Sequence, residues 1–391
     1  MKEFKYKEEI EHHLVYDIAP FWKKLRDDEY GGYYGFVDYE LNLDEKAVKG
    51  CILNSRITWF FANAYDVTGD DSLLSEARHG YEFLRDHFVD RENGGVYWSL
   101  KYDGTPEDTT KHTYNQAFAI YALSSYYAVS KDSDALNLAY ELYDVIEEKC
   151  RDEGGYLEAF KVDFSPESNE KLSENGVMAD RTMNTMLHVY EAYTELYRVG
   201  KNDKVADRLR EILNLFAEKV YNPELHRQKV FFDHDYNSLI DLISYGHDIE
   251  SSWLIDRGVS VLGDPEYEAK IYPITRDLCL NIFKTAFDGH STANECERGK
   301  VDPKRVWWVQ AEALLGYLNG YRKDPSKTEL LEAAEAEWEF IRDHVIDPRS
   351  KEWYMHVDAQ GNPETDKPIV DPWKCPYHNG RMCIEIIRMS E

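Results

Sequence analysis

The chain has 391 residues, 43% hydrophobic and 31% charged, and its 46 Lys+Arg against 74 Asp+Glu leave a formal charge of −28. With 29 Tyr, 16 Phe and 9 Trp it carries far more apolar surface than a solvated chain, which excludes disorder as its main state. The acidic excess, unrelieved by any long basic block, argues against nucleic acid or an anionic membrane as partner.

Residues 1–10 lack the apolar core of a secretory signal, and no run approaches the roughly 18 apolar residues of a membrane helix. A cytoplasmic protein is expected. The cysteines (Cys51, Cys150, Cys279, Cys296, Cys375, Cys383) include no Cys-x-x-Cys pair, so neither a disulfide framework nor a zinc knuckle is expected.

In chain order, a loose repeat dominates. Gly31-Gly32-Tyr33-Tyr34, Gly94-Gly95-Val96-Tyr97 and Gly154-Gly155-Tyr156-Leu157 recur at intervals of 63 and 60 residues. Each glycine pair opens an alternating aromatic stretch of strand or hairpin character, over 33–39, 96–102 and 156–162. Stretches 230–233 and 353–357 read the same way without the glycines, and a sixth near Asn294 is degraded. Charged amphipathic runs such as 72–87, 134–149 and 204–219 precede the markers. More apolar helical runs follow them: 56–65 behind the capping candidates Asn54 and Ser55, then 114–127, 181–198, 247–262, 306–321 and 378–389. A charged helix, a marker and an apolar helix every 60 residues or so make six helical hairpins. The expected fold is all-α, a single domain over 1–391 forming an (α/α)6 barrel with apolar helices inside, amphipathic ones outside and short β-hairpin insertions at one end.

Polar residues on the inner helices must be paired or functional. They are Arg56, Tyr114, Asn184 with His188, His247 with Glu250, Trp308 with Glu312, and Trp373 with His378, so successive inner helices aim at one central pocket. Asn184 and His188 share a helical face at i, i+4. In His247-Asp248-Ile249-Glu250 the acid one turn on is placed to accept the imidazole N–H and raise its basicity, which suits a general base. The pair could also ligate a metal, but without a His-Glu-x-x-His run no metal site is expected. Tryptophans 307, 308 and 373 with Tyr114 suit the apolar faces of a sugar. Gly-x-x-x-x-Gly-Lys-Ser/Thr, Gly-x-Gly-x-x-Gly and Gly-x-Ser-x-Gly are absent, against a nucleotide site or serine hydrolase.

Pro20 to Gly32, Asn54-Ser55-Arg56, Lys111 to Asn115, Met183 to His188, Tyr245 to Glu250, Trp307 to Glu312 and Pro372 to Met382, in this order over nearly the whole chain, resemble the N-acylglucosamine 2-epimerase superfamily of (α/α)6 barrels. Within it the chain is similar to enzymes acting on β-1,4-linked disaccharides. The resemblance implies epimerisation at C2 of the reducing-end sugar (cellobiose to glucosyl-mannose, lactose to epilactose) with no cofactor. Such inversion needs two acid/base groups active near neutrality, and histidine, with an ordinary pKa of about 6.5, qualifies. By the resemblance His247 and His378 are the pair, Glu250 orients His247, Arg56 and His188 stabilise charge on the O1/O2 side, and Tyr114, Asn184, Trp308, Glu312 and Trp373 position the sugar. The expected partner is a reducing disaccharide, and a monomer is favoured. The competing readings are an N-acylglucosamine 2-epimerase or aldose–ketose isomerase of the same fold, and an (α/α)6 glycoside hydrolase using two of Glu174, Asp180, Glu250 and Glu312.

Overall fold

The computed structural model describes residues 2–172 and 174–389. Among them, helices alternate between two rings. The outer helices are α1 (7–23), α3 (71–88), α5 (Ser133–Lys149), α7 (203–220), α9 (Pro265–Thr285) and α11 (328–345). The inner ones are α2 (Cys51–Thr68), α4 (Thr113–Ser130), α6 (Met183–Gly200), α8 (Tyr245–Leu262), α10 (Trp307–Lys323) and α12 (His378–Met389). Each inner helix packs on the next, and α12 returns to α2, which closes the ring. Inner helices are buried nearly all round, as residues 51–64 of α2 show, whereas outer helices bury one stripe, as α7 does with Val205, Ala206, Leu209, Ile212 and Leu213.

The two ends of the barrel differ. At one end four inner helices pass into their outer partners through a left-handed residue followed by an Asp or Asn cap: Gly69-Asp70, Lys131-Asp132, Lys201-Asn202 and Gly263-Asp264. The cap oxygen accepts the backbone N–H two residues on, so these turns are short and closed. At the other end the outer-to-inner connections are long and carry small antiparallel sheets, including Lys49–Gly50 with Ser99–Leu100 and Phe231–Phe232 with Arg181–Thr182. The degraded sixth marker forms a real hairpin, Glu295–Glu297 with Lys300–Asp302, that adds Leu242–Ser244 as a third strand.

Each long connection starts with an Asx turn, at Asp27, Asp90, Asp152, Asn222, Asp288 and Asp347, whose side-chain oxygen accepts from the backbone N–H two residues later. A basic residue just before the inner helix then clamps the turn or its neighbour: Lys49 to Asp27 at 2.6 Å, Lys111 to Asp90 at 2.8 Å, Arg181 to Asp152 at 2.7 Å, Arg305 to Asp288 at 2.5 Å and Lys374 to Glu352 at 2.9 Å. The fourth connection has Asn222 and Ile243 at the matching positions, so acid and base are missing together.

Helix α2 begins at Cys51, not near Arg56, and Asn54 lies inside it. Its side chain does the work of a cap for a different segment, accepting from Tyr33 N–H at 3.0 Å and donating to the Gly50 carbonyl at 3.1 Å. No described helix is long and apolar enough to cross a membrane, and all six cysteines are buried and unpaired with one another.

Candidate active site

The long connections and the first turns of the inner helices surround a cavity of about 380 Å³. Arg56, Tyr114, Asn184, His188, His247, Glu250, Trp308, Trp373 and His378 all line it, from six inner-ring segments. Of the expected site residues only Glu312 is not on its wall.

His247 opens α8, and its Nδ1 lies 2.6 Å from Ser244 Oγ. Glu250 does not reach it. The one-turn spacing that suggested a His247–Glu250 pair is overridden because Glu250 Oε1 binds Arg381, leaving Oε2 buried without a partner. The His-x-x-Glu pairing exists one inner helix earlier, where His188 Nδ1 donates to Glu191 Oε2 at 2.8 Å. His378 opens α12, and its Nδ1 lies 2.7 Å from Glu312 Oε1. Glu312, expected to face the sugar, instead stands behind His378 and also accepts Trp253 Nε1–H at 2.8 Å. With the carboxylate on Nδ1, the Nε2 of His378 is left to exchange a proton.

Beneath these residues Arg381 is the hub, bonding Glu191 at 2.5 Å, Glu312 at 2.7 Å, and Glu250 and Tyr377. Three buried carboxylates around one guanidinium cannot be equal. Burial and Glu312 push Glu250 up to about 7, and burial raises Glu312. Burial opposes ionisation of Glu191 as well, but Arg381 and its bonds from His188 and Tyr377 hold it at about 2. Enclosure and the nearby His188 push His247 down to about 3, and burial with Arg381 and Arg56 pushes His378 well below the ordinary histidine range. Both shifts favour the neutral imidazole. The ring of Trp308 touches both, at 4.8 Å from His247 and 5.5 Å from His378 between centroids.

Arg56 is held differently. Its guanidinium lies 4.2 Å from the Phe118 ring centre and 4.6 Å from Tyr377, donates to Tyr114 OH at 2.8 Å, and forms no ion pair with any described carboxylate. A buried cation without a counter-ion at the cavity wall is suited to charge that arises during a reaction. Asn184 adds a buried Oδ1 without a partner. Trp373 forms the outer lip and is 38% exposed.

Glu250, Glu312 and His378 offer donor atoms within 4.8 Å of one another, a spacing a metal ion could use. Arg381 already bonds both carboxylates, so a cation occupies that position. The same sharing weakens a hydrolase reading, because two acids on one guanidinium do not flank a glycosidic bond. Asp180 is exposed and off the cavity wall, and the Glu174 side chain lies outside the described residues.

Sequence reasoning missed Glu191, Arg381, Tyr377 and Ser244. Two left a trace: Glu191 repeats the His-x-x-Glu spacing after His188, and Arg381 sits one turn after His378.

A closed double ring of helices around a histidine-lined, aromatic-lipped cavity defines a carbohydrate-converting barrel enzyme, and comparison with known proteins agrees. The N-acylglucosamine 2-epimerase (GlcNAc 2-epimerase) family profile matches residues 31–379, and the chain belongs to that family. It is 50% identical over 380 residues to the Cellobiose 2-epimerase of Ruminococcus albus, covering 97% of each chain. A solved sugar epimerase from a ruminal bacterium superimposes with a TM-score of 0.97 at 49% identity, covering 98% of this chain and 99% of that one. The structure of Cellobiose 2-Epimerase from Bacillus thermoamylovorans B4167 superimposes with a TM-score of 0.94 at 44% identity, with the same coverage of both chains. The protein is a carbohydrate epimerase.

Proposed function

We propose that the protein inverts C2 of the reducing-end sugar of β-1,4-linked disaccharides, interconverting glucose-type and mannose-type ends. The activity is the one named in its half-identical relative, Cellobiose 2-epimerase. The observation that carries it is the placement of His247 and His378, from separate inner helices, on one cavity wall with Arg56, a cation that has no counter-ion among the described residues.

In this reading the ring opens to the aldehyde, which makes the C2 proton acidic. One imidazole, His247 or His378 according to the epimer bound, removes that proton, and the resulting enediolate is held by Arg56 and His188. The other imidazole takes up a proton from solvent once the enediolate's charge stands beside it and passes that proton to the opposite face of C2, while the first imidazolium releases its proton to solvent, so both rings end neutral. Glu312 stabilises the imidazolium form of His378, and Ser244 fixes the ring of His247. Tyr114, Asn184 and Trp308 hold the inner sugar, Glu250 offers its free oxygen to a hydroxyl, and the outer sugar stacks on Trp373. All these groups come from one chain, so a monomer suffices.

The test is proton NMR of cellobiose with the purified protein, with neither metal nor nucleotide added. A growing mannose-type reducing-end signal is expected. Free glucose would mean cleavage and would overturn the reading, as would a substrate that stays unchanged.

A further inference from the structure

The Trp373 indole is exposed at the lip, and its backbone N–H is fixed by Asp371 Oδ1 at 2.8 Å. Its ring plane is set by neighbouring rings, Tyr114 at 6.2 Å and Trp98 at 5.9 Å between centroids. Tyr114 is already engaged with Arg56 and His188 on the cavity side. Trp98 is not on the cavity wall and belongs to the connection between α3 and α4.

Trp98 is itself half-buried and held through both its backbone and its ring. Its backbone N–H donates to the Asp108 carbonyl and its carbonyl accepts from Cys51 N–H, which ties it to the first residue of α2. One side of its ring meets His112 at 4.6 Å. His112 is fully buried, neither ring nitrogen has a partner, and burial with Lys171 nearby lowers it to about 4. It therefore serves Trp98 as a neutral aromatic slab. The Lys171 ammonium lies 5.5 Å from the Trp98 ring centre, within reach of a cation–π contact. That ammonium donates to Thr110 Oγ1 at 2.6 Å and pairs with Asp108, while Lys171 also lines the outer cavity. Three separate connections thus meet at one indole.

We propose that Trp98, fixed between His112 and Lys171, is a positioning residue that sets the plane of Trp373 and thereby the affinity for the outer sugar of the disaccharide. The inference rests on the reading that the outer sugar stacks on Trp373. It places disaccharide recognition partly in a residue that never touches substrate.

Steady-state kinetics of cellobiose epimerisation test it with Trp98→Ala, Trp98→Phe, Trp373→Ala and the double alanine variant. Aromatic pair strengths set the expected scale: Trp98→Ala raises KM about three- to tenfold and leaves kcat within about twofold. Trp98→Phe recovers most of the loss. Trp373→Ala raises KM at least as much, and adding Trp98→Ala to it has no further effect, because both act through one ring. Should the alanine variant not fold, Trp98→Leu, which retains bulk without a π face, takes its place with the same expectation. An unchanged KM in Trp373→Ala would remove the underlying stacking reading. A raised KM in Trp373→Ala with an unchanged KM in the Trp98 variants would overturn the positioning role alone. Effects that add in the double variant, or a kcat loss that follows falling Tm with KM unchanged, would make Trp98 merely structural.

Discussion

Buried ion pairs occur in two regions of this barrel, and they are built to different rules. At the rim each pair is one base to one acid, as Lys49 with Asp27 and Lys111 with Asp90, repeated around the ring to fasten each connection onto the next inner helix. On the cavity floor a single Arg381 faces Glu191, Glu250 and Glu312. The rim pairs are replaceable as units: the fourth connection has Asn222 and Ile243, which leaves no charge unpaired. The floor's excess acid cannot be balanced locally. Burial and the neighbouring Glu312 raise Glu250 to about 7, and in the proposed mechanism Glu312 stabilises the protonated form of His378. Matched pairs hold the barrel shut; the mismatched cluster keeps protons available.

This contrast predicts that floor and wall variants lose turnover while rim variants lose stability. The largest effect is expected for His247→Ala and His378→Ala, each lowering kcat by about a thousandfold or more with Tm near that of the parent. Initial rates and thermal melts check it, and normal turnover in either variant would break the two-histidine assignment. Next is Arg56→Lys. Although charge is retained, the planar fork between Phe118 and Tyr377 is lost, and kcat should fall about a hundredfold without a stability change.

At the rim, Lys111→Met leaves Asp90 buried and alone, so unfolding free energy should drop by about 3 kcal/mol while kcat stays within about twofold. Denaturant titration alongside kinetics would show whether the separation holds. The smallest effect concerns pH. Burial opposes ionisation of Asp90, but Lys111 and backbone N–H groups hold its pKa at about 2. Its folded pKa is depressed, so the contribution is fully present above the ordinary carboxylate pKa near 4 and is lost as pH falls through 2. The stability gap between parent and Asp90→Asn should therefore narrow by about 2 kcal/mol between pH 6 and pH 2. A gap independent of pH would mean that the pair is electrostatically inert.

The alternation of amphipathic and apolar helices was legible because burial dictates it: an outer helix covers one face, an inner helix is covered on all. Starting points were less legible, since α2 and α4 have Gly50 and His112 as N-caps, which supply no side-chain cap, and Asn54 caps a loop 21 residues away in sequence. Left-handed lysines at 131 and 201 hid turns that Gly69 and Gly263 would have announced. Wall residues of the site stood out as polar groups recurring on apolar helices. Their partners did not, because those bonds join different helices: His378 and Glu312 are 66 residues apart, Arg381 and Glu250 are 131. A local spacing therefore suggested His247 with Glu250, while the tertiary structure gave that acid to Arg381.

The central claim is that two histidines serve opposite faces of C2. The most direct measurement is deuterium exchange at C2, followed separately in cellobiose and in glucosyl-mannose, for the parent, His247→Ala and His378→Ala in D2O. The account predicts exchange with inversion in the parent. Each variant loses inversion and retains exchange in one epimer, with the surviving epimer opposite in the two variants. Survival of the same epimer in both variants, or inversion by either of them, would contradict it.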